Sequence, residues 1–406
     1  MGASTGGEWG LKIIFVLLSL LLLPGCWSSV ELNDRAFVRM MVLDKTKSGI
    51  ELSLDFTLPN RLIPGTAGGG GSGEQGGKPY TYIKATGIDI SEAYRKMQSD
   101  LSRKISFGQT RVVVIGRELA EAGIQPILDF LAREPAMHIN AYMFVTPGRA
   151  REIESIAALF ERFPSDILTA YGETHVVLDT TIKDFLAAEY SGGDMVVPML
   201  KFGTKIITRE KEKQQNWMGT SGAAIVKQGK MVSTLNVIEM RGGLWILGKL
   251  KNAEISVPSP TDGKNISFIV QRADTRISPR IKEDQIEIQL HSNAEAEVLA
   301  SSSNINLKDL KQLEKLEQNL NLVVKKRITS AIAKTRAVSS DAFQLGNYID
   351  WHYPTKWKSI KPNWRDVYSS EMRLNVQTDV TITRLGTFQH AITETKTSGS
   401  ETEAEQ

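Results

Sequence analysis

Cys26 is the only cysteine in the chain, and it directly follows an apolar run, in Leu23-Pro24-Gly25-Cys26. A lone thiol forms no intrachain disulfide, and it builds no cysteine-based zinc site without histidine or carboxylate help. Upstream, Ile13 to Leu23 is apolar apart from Ser19. As a helix rising ~1.5 Å per residue it covers about 17 Å of a ~30 Å hydrocarbon core. That is too short to span a bilayer and suits the apolar region of an export signal. The pattern predicts a signal peptide over residues 1–25, cleavage between Gly25 and Cys26, and acylation of Cys26 as in bacterial lipoproteins.

Composition bounds the rest of the chain. With 41% hydrophobic and 23% charged residues, it reads as globular and long enough for two or three domains. A net charge of +3, without a basic stripe interleaved with aromatics, gives no support for nucleic-acid binding. No later stretch approaches ~18 consecutive apolar residues, so the processed protein carries no predicted membrane helix.

The pattern predicts an α+β protein of several units, with mixed sheets packed against helices. An N-terminal α/β domain is expected over 26–195. It opens with strands at Ala36 to Leu43, Ile50 to Leu58 and Tyr80 to Ala85, with a flexible Gly-rich loop over 65–79. A helix capped by Asp89 or Ser91 comes next, then a buried strand at Arg111 to Gly116 and a helix at Glu118 to Ala132. A strand at Ala141 to Val145 and a helix at Ala150 to Phe160 complete the alternation. Ser191-Gly192-Gly193-Asp194 marks a boundary. A middle domain is expected over 196–251, with Lys227-Gln228-Gly229-Lys230 as a tight hairpin turn. A C-terminal α+β domain over 252–392 has strands at Ile266 to Gln271 and Gln285 to Leu290. Its long helix, 307–338, aligns Leu313, Leu316, Leu320, Val324, Ile328 and Ile332 on one stripe. The alternation of Met372, Leu374, Val376, Val380 and Ile382 with polar residues predicts a half-buried strand, and residues 393–406 a disordered tail.

Catalytic motifs find no support. The five histidines, His138, His175, His291, His352 and His390, are scattered without metal-ligand spacing. Gly77-Lys78 is not a phosphate loop, because Pro79 stands where a Mg²⁺-binding hydroxyl belongs and a strand comes next in place of a helix. Ser221 lacks the spacing of a nucleophile elbow. No enzyme activity, cofactor or metal is expected.

Three stretches resemble the Ger(x)C family, the lipoprotein C subunits of nutrient germinant receptors in endospore-forming bacteria. Cys26-Trp27 with Glu31-Leu32-Asn33-Asp34 is similar to the family's opening. Ser102-Arg103-Lys104 with Arg111 to Ala120 and Gly123-Ile124 forms the second. The third, and most specific, is Asp341-Ala342-Phe343-Gln344-Leu345-Gly346 followed by Pro354, Trp357 and Trp364. The resemblance implies a non-enzymatic, lipid-anchored subunit at the outer face of the spore inner membrane. It implies membrane A and B subunits as partners, a bilayer contact through acyl chains, and a role in nutrient-triggered germination. Read from the residues alone, Asp341, Phe343, Gly346, Pro354, Trp357 and Trp364 form either a structural pin or a partner contact. Asp341 is a candidate helix cap and Gly346 a candidate turn residue. An extracytoplasmic solute-binding lipoprotein is the alternative from another functional class.

Overall fold

The computed structural model describes residues 32–61 and 78–384, except 157, 159, 175, 176, 207–213 and 284. The predicted signal peptide, Cys26, nearly all of the Gly-rich loop and the tail lie outside the described residues. The architecture is α+β, built on two sheets.

The first sheet has nine strands: β1 (Arg35–Thr46), β2 (Gly49–Thr57), β3 (Tyr80–Gly87), β4 (Lys104–Ser106), β5 (Val112–Ile115), β6 (Tyr142–Val145), β7 (Met195–Ile206), β8 (Gln214–Lys227) and β9 (Lys230–Leu235). Their order is β3-β2-β1-β5-β6-β7-β8-β9, with β4 beside β1. The centre is parallel and both ends are antiparallel hairpins. A parallel strand is covered on both faces and reads as an unbroken apolar run, as Val112 to Ile115 does. Alternate side chains divide between two cores. Met41, Leu43, Val113 and Ile115 meet the helices α1 (Ile90–Ser99), α2 (Arg117–Ala122), α3 (Gln125–Arg133) and, later in the chain, α5 (Ile182–Tyr190). Met40, Val42, Val112 and Val114 face the other way, toward α4 (Pro164–Glu173) and the C-terminal half.

The expected helix over Glu118 to Ala132 is two helices. Gly123 takes a φ of 131°, open only to glycine, and Pro126 starts α3. The helix expected at Ala150 to Phe160 is a short 3₁₀ segment, Ala150–Ser155, whose first N–H groups are held by the buried Asp44. The sheet also runs past the boundary expected at 195/196. β7 pairs with β6 at Met199–Val145, so β7, β8 and β9 continue the first sheet. Strand β7 has apolar residues on both faces, Val196 and Leu200 against Val197 and Met199, which a separate small unit could not cover. The turn at Gln228-Gly229 has the predicted form, with φ of 50° and 70°, as a type I′ hairpin requires.

The helix α6 (Val237–Ile246) leads to the second sheet, ordered β10 (Lys251–Pro258), β11 (Asn265–Lys282), β12 (Gln285–Ser301) and β13 (Arg373–Arg384). β12 and β13 are parallel, joined through α7 (Leu310–Arg336), which buries Leu316, Leu320, Val324, Ile328 and Ile332 on the sheet. Gly242 of α6 lets the two helices meet, since a Cβ there would stand 2.2 Å from the Arg327 carbonyl oxygen. The outer edge of β13 is sealed by side chains of α7. Asn321 accepts from the Val380 N–H (2.9 Å) and donates to its carbonyl (3.1 Å), and Glu317 accepts from Ile382 N–H (2.8 Å). The carboxamide thus substitutes for a neighbouring strand, on an edge that would otherwise invite pairing with another chain.

Asn321→Ala should lower unfolding free energy by about 1–3 kcal/mol, because it leaves buried backbone groups unpaired. Urea denaturation reads the loss, and sedimentation should show concentration-dependent self-association absent from the parent.

Candidate functional site

After α7 the chain turns back through Ser340 and Asp341 into α8 (Leu345–His352) and α9 (Pro354–Ile360). Asp341 is buried and saturated with donors. One carboxylate oxygen accepts from Leu345 N–H (2.8 Å), and the other from Gly346 N–H (2.7 Å) and the Trp364 indole N–H (2.8 Å). It caps α8, as its position before a helix suggests, although Gln344 occupies the cap itself in a left-handed conformation. The Gly346 requirement is steric, not the turn expected from sequence. A Cβ would stand 2.6 Å from the Trp357 ring and 2.8 Å from Trp364 Nε1. Those two buried indoles meet edge to face with centroids 5.3 Å apart. Trp364 continues to Tyr368, whose hydroxyl bonds Thr335 of α7 at 2.6 Å. Phe343 is buried against Gly243 of α6, and Pro354 opens α9 from an exposed position. Trp351 is 68% exposed and takes no part in this packing.

The cluster fastens the C-terminal half to the first sheet. Asp341 N–H donates to Asp194 (3.0 Å), the residue immediately before β7. The other Asp194 oxygen accepts from Arg365 (2.7 Å) and from the Gln228 N–H in the β8–β9 turn (3.2 Å). Arg365 also reaches the Gly192 carbonyl (2.6 Å), and Lys361 reaches that of Tyr190 (3.2 Å). The Ser191-Gly192-Gly193-Asp194 stretch, a boundary by its composition, is thus the receiving half of a joint. Asp194 and Arg365 are not legible in sequence as members, because their partners lie 147 and 171 residues away along the chain. Two small clefts lie between the halves here, one of about 70 Å³ beside Asp341 and one of about 200 Å³ beside Phe343 and Trp351. Burial pushes the Asp341 carboxyl up to about 7, against the pull of its Gly346, Trp364 and Leu345 donors and with a further push from Asp194.

A second buried carboxylate lies in the first sheet. Asp55 on β2 is fully buried, and neither oxygen has a hydrogen-bond partner among the described residues. Arg39, whose charge acts on Asp55, is paired instead with Asp166. Burial pushes Asp55 up to about 7, with Arg39 pulling it down and Asp166 raising it. Among the described residues, no group of three or more histidine, cysteine or acidic side chains is placed to hold a metal ion.

Two family models match almost end to end. The spore germination protein N-terminal domain covers residues 28–202, and the spore germination B3/GerAC-like C-terminal domain covers 221–386. The chain belongs to this GerAC-like family of spore germination proteins. Its relatives include the putative spore germination protein YfkR of Bacillus subtilis, 26% identical over 94% of this chain and 98% of that protein. Spore germination protein KC of the same organism is 26% identical over 93% and 96%, and spore germination protein GerQC of Bacillus cereus 23% over 92% and 98%. The crystal structure of the GerBC protein shares the fold, with a TM-score of 0.54, 16% identity, and coverage of 86% of this chain and 98% of that one. In this GerAC-like protein the joint bridges the two matched regions, with Asp194 in the first and Asp341 and Arg365 in the second.

Asp341→Ala leaves three buried N–H donors unpaired and should cost about 3 kcal/mol or more of stability in denaturant unfolding. Asp55 carries a sharper pH signature. A carboxyl raised on folding gives stability that is full below about pH 4 and lost as pH rises through about 7. Asp55→Asn should therefore flatten that decline and raise the melting temperature at pH 8, by up to about 4 kcal/mol in equivalent stability. A variant less stable than the parent at pH 8 would contradict the buried-charge account.

Proposed function

We propose that this protein is the lipid-anchored, non-enzymatic C subunit of a nutrient germinant receptor, tethered through acylated Cys26 to the outer face of the spore inner membrane. The observation that carries the reading is the match of both GerAC-type domains over nearly the whole length beyond Cys26. The sequence before Cys26 has the length of an export signal, and two or three acyl chains, at ~0.8 kcal/mol per buried CH₂, hold a protein firmly where one does not. Membrane A and B subunits are the proposed partners. The role requires no bond-making step: a rigid two-sheet body is presented to those subunits so that nutrient binding is passed on to them. The Asp194–Asp341–Arg365 joint supports this, because it ties the two halves through buried hydrogen bonds.

Cys26→Ala should leave the circular dichroism spectrum unchanged, move the protein from the membrane to the soluble fraction, and abolish nutrient-triggered germination through its receptor. Retention of the variant in membranes of cells lacking the A and B subunits would refute the anchor.

A further inference from the structure

The Ser102-Arg103-Lys104 motif has no part in the joint, and its position in the fold is specific. Lys104 opens β4, which lies parallel to the first residues of β1 with Lys104 opposite Arg35. Chain register brings more bases to the same end of the sheet. Val38 pairs with Phe56, so β2 ends there and runs into the Pro59–Arg61 turn. Thr57 pairs with Tyr80, which places Lys78 there as well, and Arg61 donates to the Lys78 carbonyl at 3.2 Å. Arg61, Lys78, Arg103 and Lys104 are exposed and Arg35 is half-buried. None of the five has an ion-pair partner among the described residues. Asp34 and Asp100 are the acids on these segments, so the rim keeps an excess of positive charge. At the opposite end of the strands, Arg117 and Arg151 are paired with Glu121 and Glu51, and Lys45 and Lys47 are exposed without an ion pair among the described residues, a smaller cluster than the five bases of the rim.

This basic rim is where the chain leaves for Cys26. Five residues separate Cys26 from Leu32, and the six Cα–Cα steps between them reach at most about 22 Å. Leu32 is 73% exposed beside the rim. We infer that the rim formed by Arg35, Arg61, Lys78, Arg103 and Lys104 is a membrane-facing contact for anionic phospholipid headgroups, which sets the body's orientation on the bilayer. The inference rests on acylation of Cys26 for its geometry. Each base within a Debye length of an anionic surface adds to attraction, so short tether and charged rim act as two signals on one face.

The acylated full chain has no free thiol of its own under this reading, so single reporter cysteines can be placed cleanly. A fluorophore at Ser102→Cys, in vesicles of one part phosphatidylglycerol to two parts phosphatidylcholine, should be quenched by headgroup-labelled lipid. One at Ser48→Cys, in the β1–β2 turn at the far end, should not. Equal quenching at both sites, or equal quenching of the Ser102 probe in pure phosphatidylcholine, overturns the inference. Co-flotation of the unacylated mature chain, residues 26–406 with Cys26→Ser, tests the rim apart from the anchor. It should bind the anionic vesicles at low salt and lose at least tenfold in binding on Arg103→Glu with Lys104→Glu. No loss in that double variant, with folding verified by circular dichroism, also overturns it. Failure of the anchor reading would show separately, as an unmodified Cys26 by mass spectrometry.

Discussion

On top of the core they share, the two halves are keyed together by a short chain of polar contacts, from Arg365 through Asp194 to Asp341 and the Trp364 indole. Two carboxylates side by side in a buried place repel, and each alone would be costly to desolvate. They are tolerated because they are oriented differently. Asp194 takes a guanidinium and backbone N–H groups, while Asp341 takes three donors of the C-terminal half and contributes its N–H, not its charge, to Asp194. That division makes the contact directional, since each carboxylate is satisfied by its own set of donors.

The joint also explains why sheet and family boundaries disagree. The matched regions end at 202 and begin again at 221, within the β7–β8 hairpin, so the first sheet is built from both. Most of the apolar half of β8 and all of β9 belong to the C-terminal region by sequence match and to the first sheet by hydrogen bonding. One contiguous core then runs from Val42 and Phe144 through Trp245 to Ile328 and Ile382. Halves that share a sheet and a core cannot move as independent bodies without breaking strand pairs, whereas the usual expectation for linked domains is relative motion.

What can be read from the sequence is whatever local physics decides. The Gln228-Gly229 turn, the Asp89 cap and the α7 stripe are each fixed by residues within a turn or two of one another. The parallel strand Val112 to Ile115 is legible because full burial leaves an unbroken apolar run. The break at Gly123 is not, because a glycine inside a helical period is ambiguous until its φ is known. The site is legible in part. Asp341, Gly346, Trp357 and Trp364 stand out by residue type and do converge, while the reason for Gly346 is a contact with two indoles of later segments. Asp194 and Arg365 carry no local pattern at all, so only the folded chain brings them in.

Direction in the first sheet gives this joint a further consequence under the proposed anchoring. β1, β5, β6 and β7 are parallel, so Asp194 at the start of β7 and Arg35 at the start of β1 lie toward the same end. Twist of about 20–25° per strand, over three steps, turns but does not reverse that relation. The C-terminal half is therefore joined to the first sheet at the strand end that also carries the basic rim, and the long β11–β12 hairpin packs into the core the two halves share.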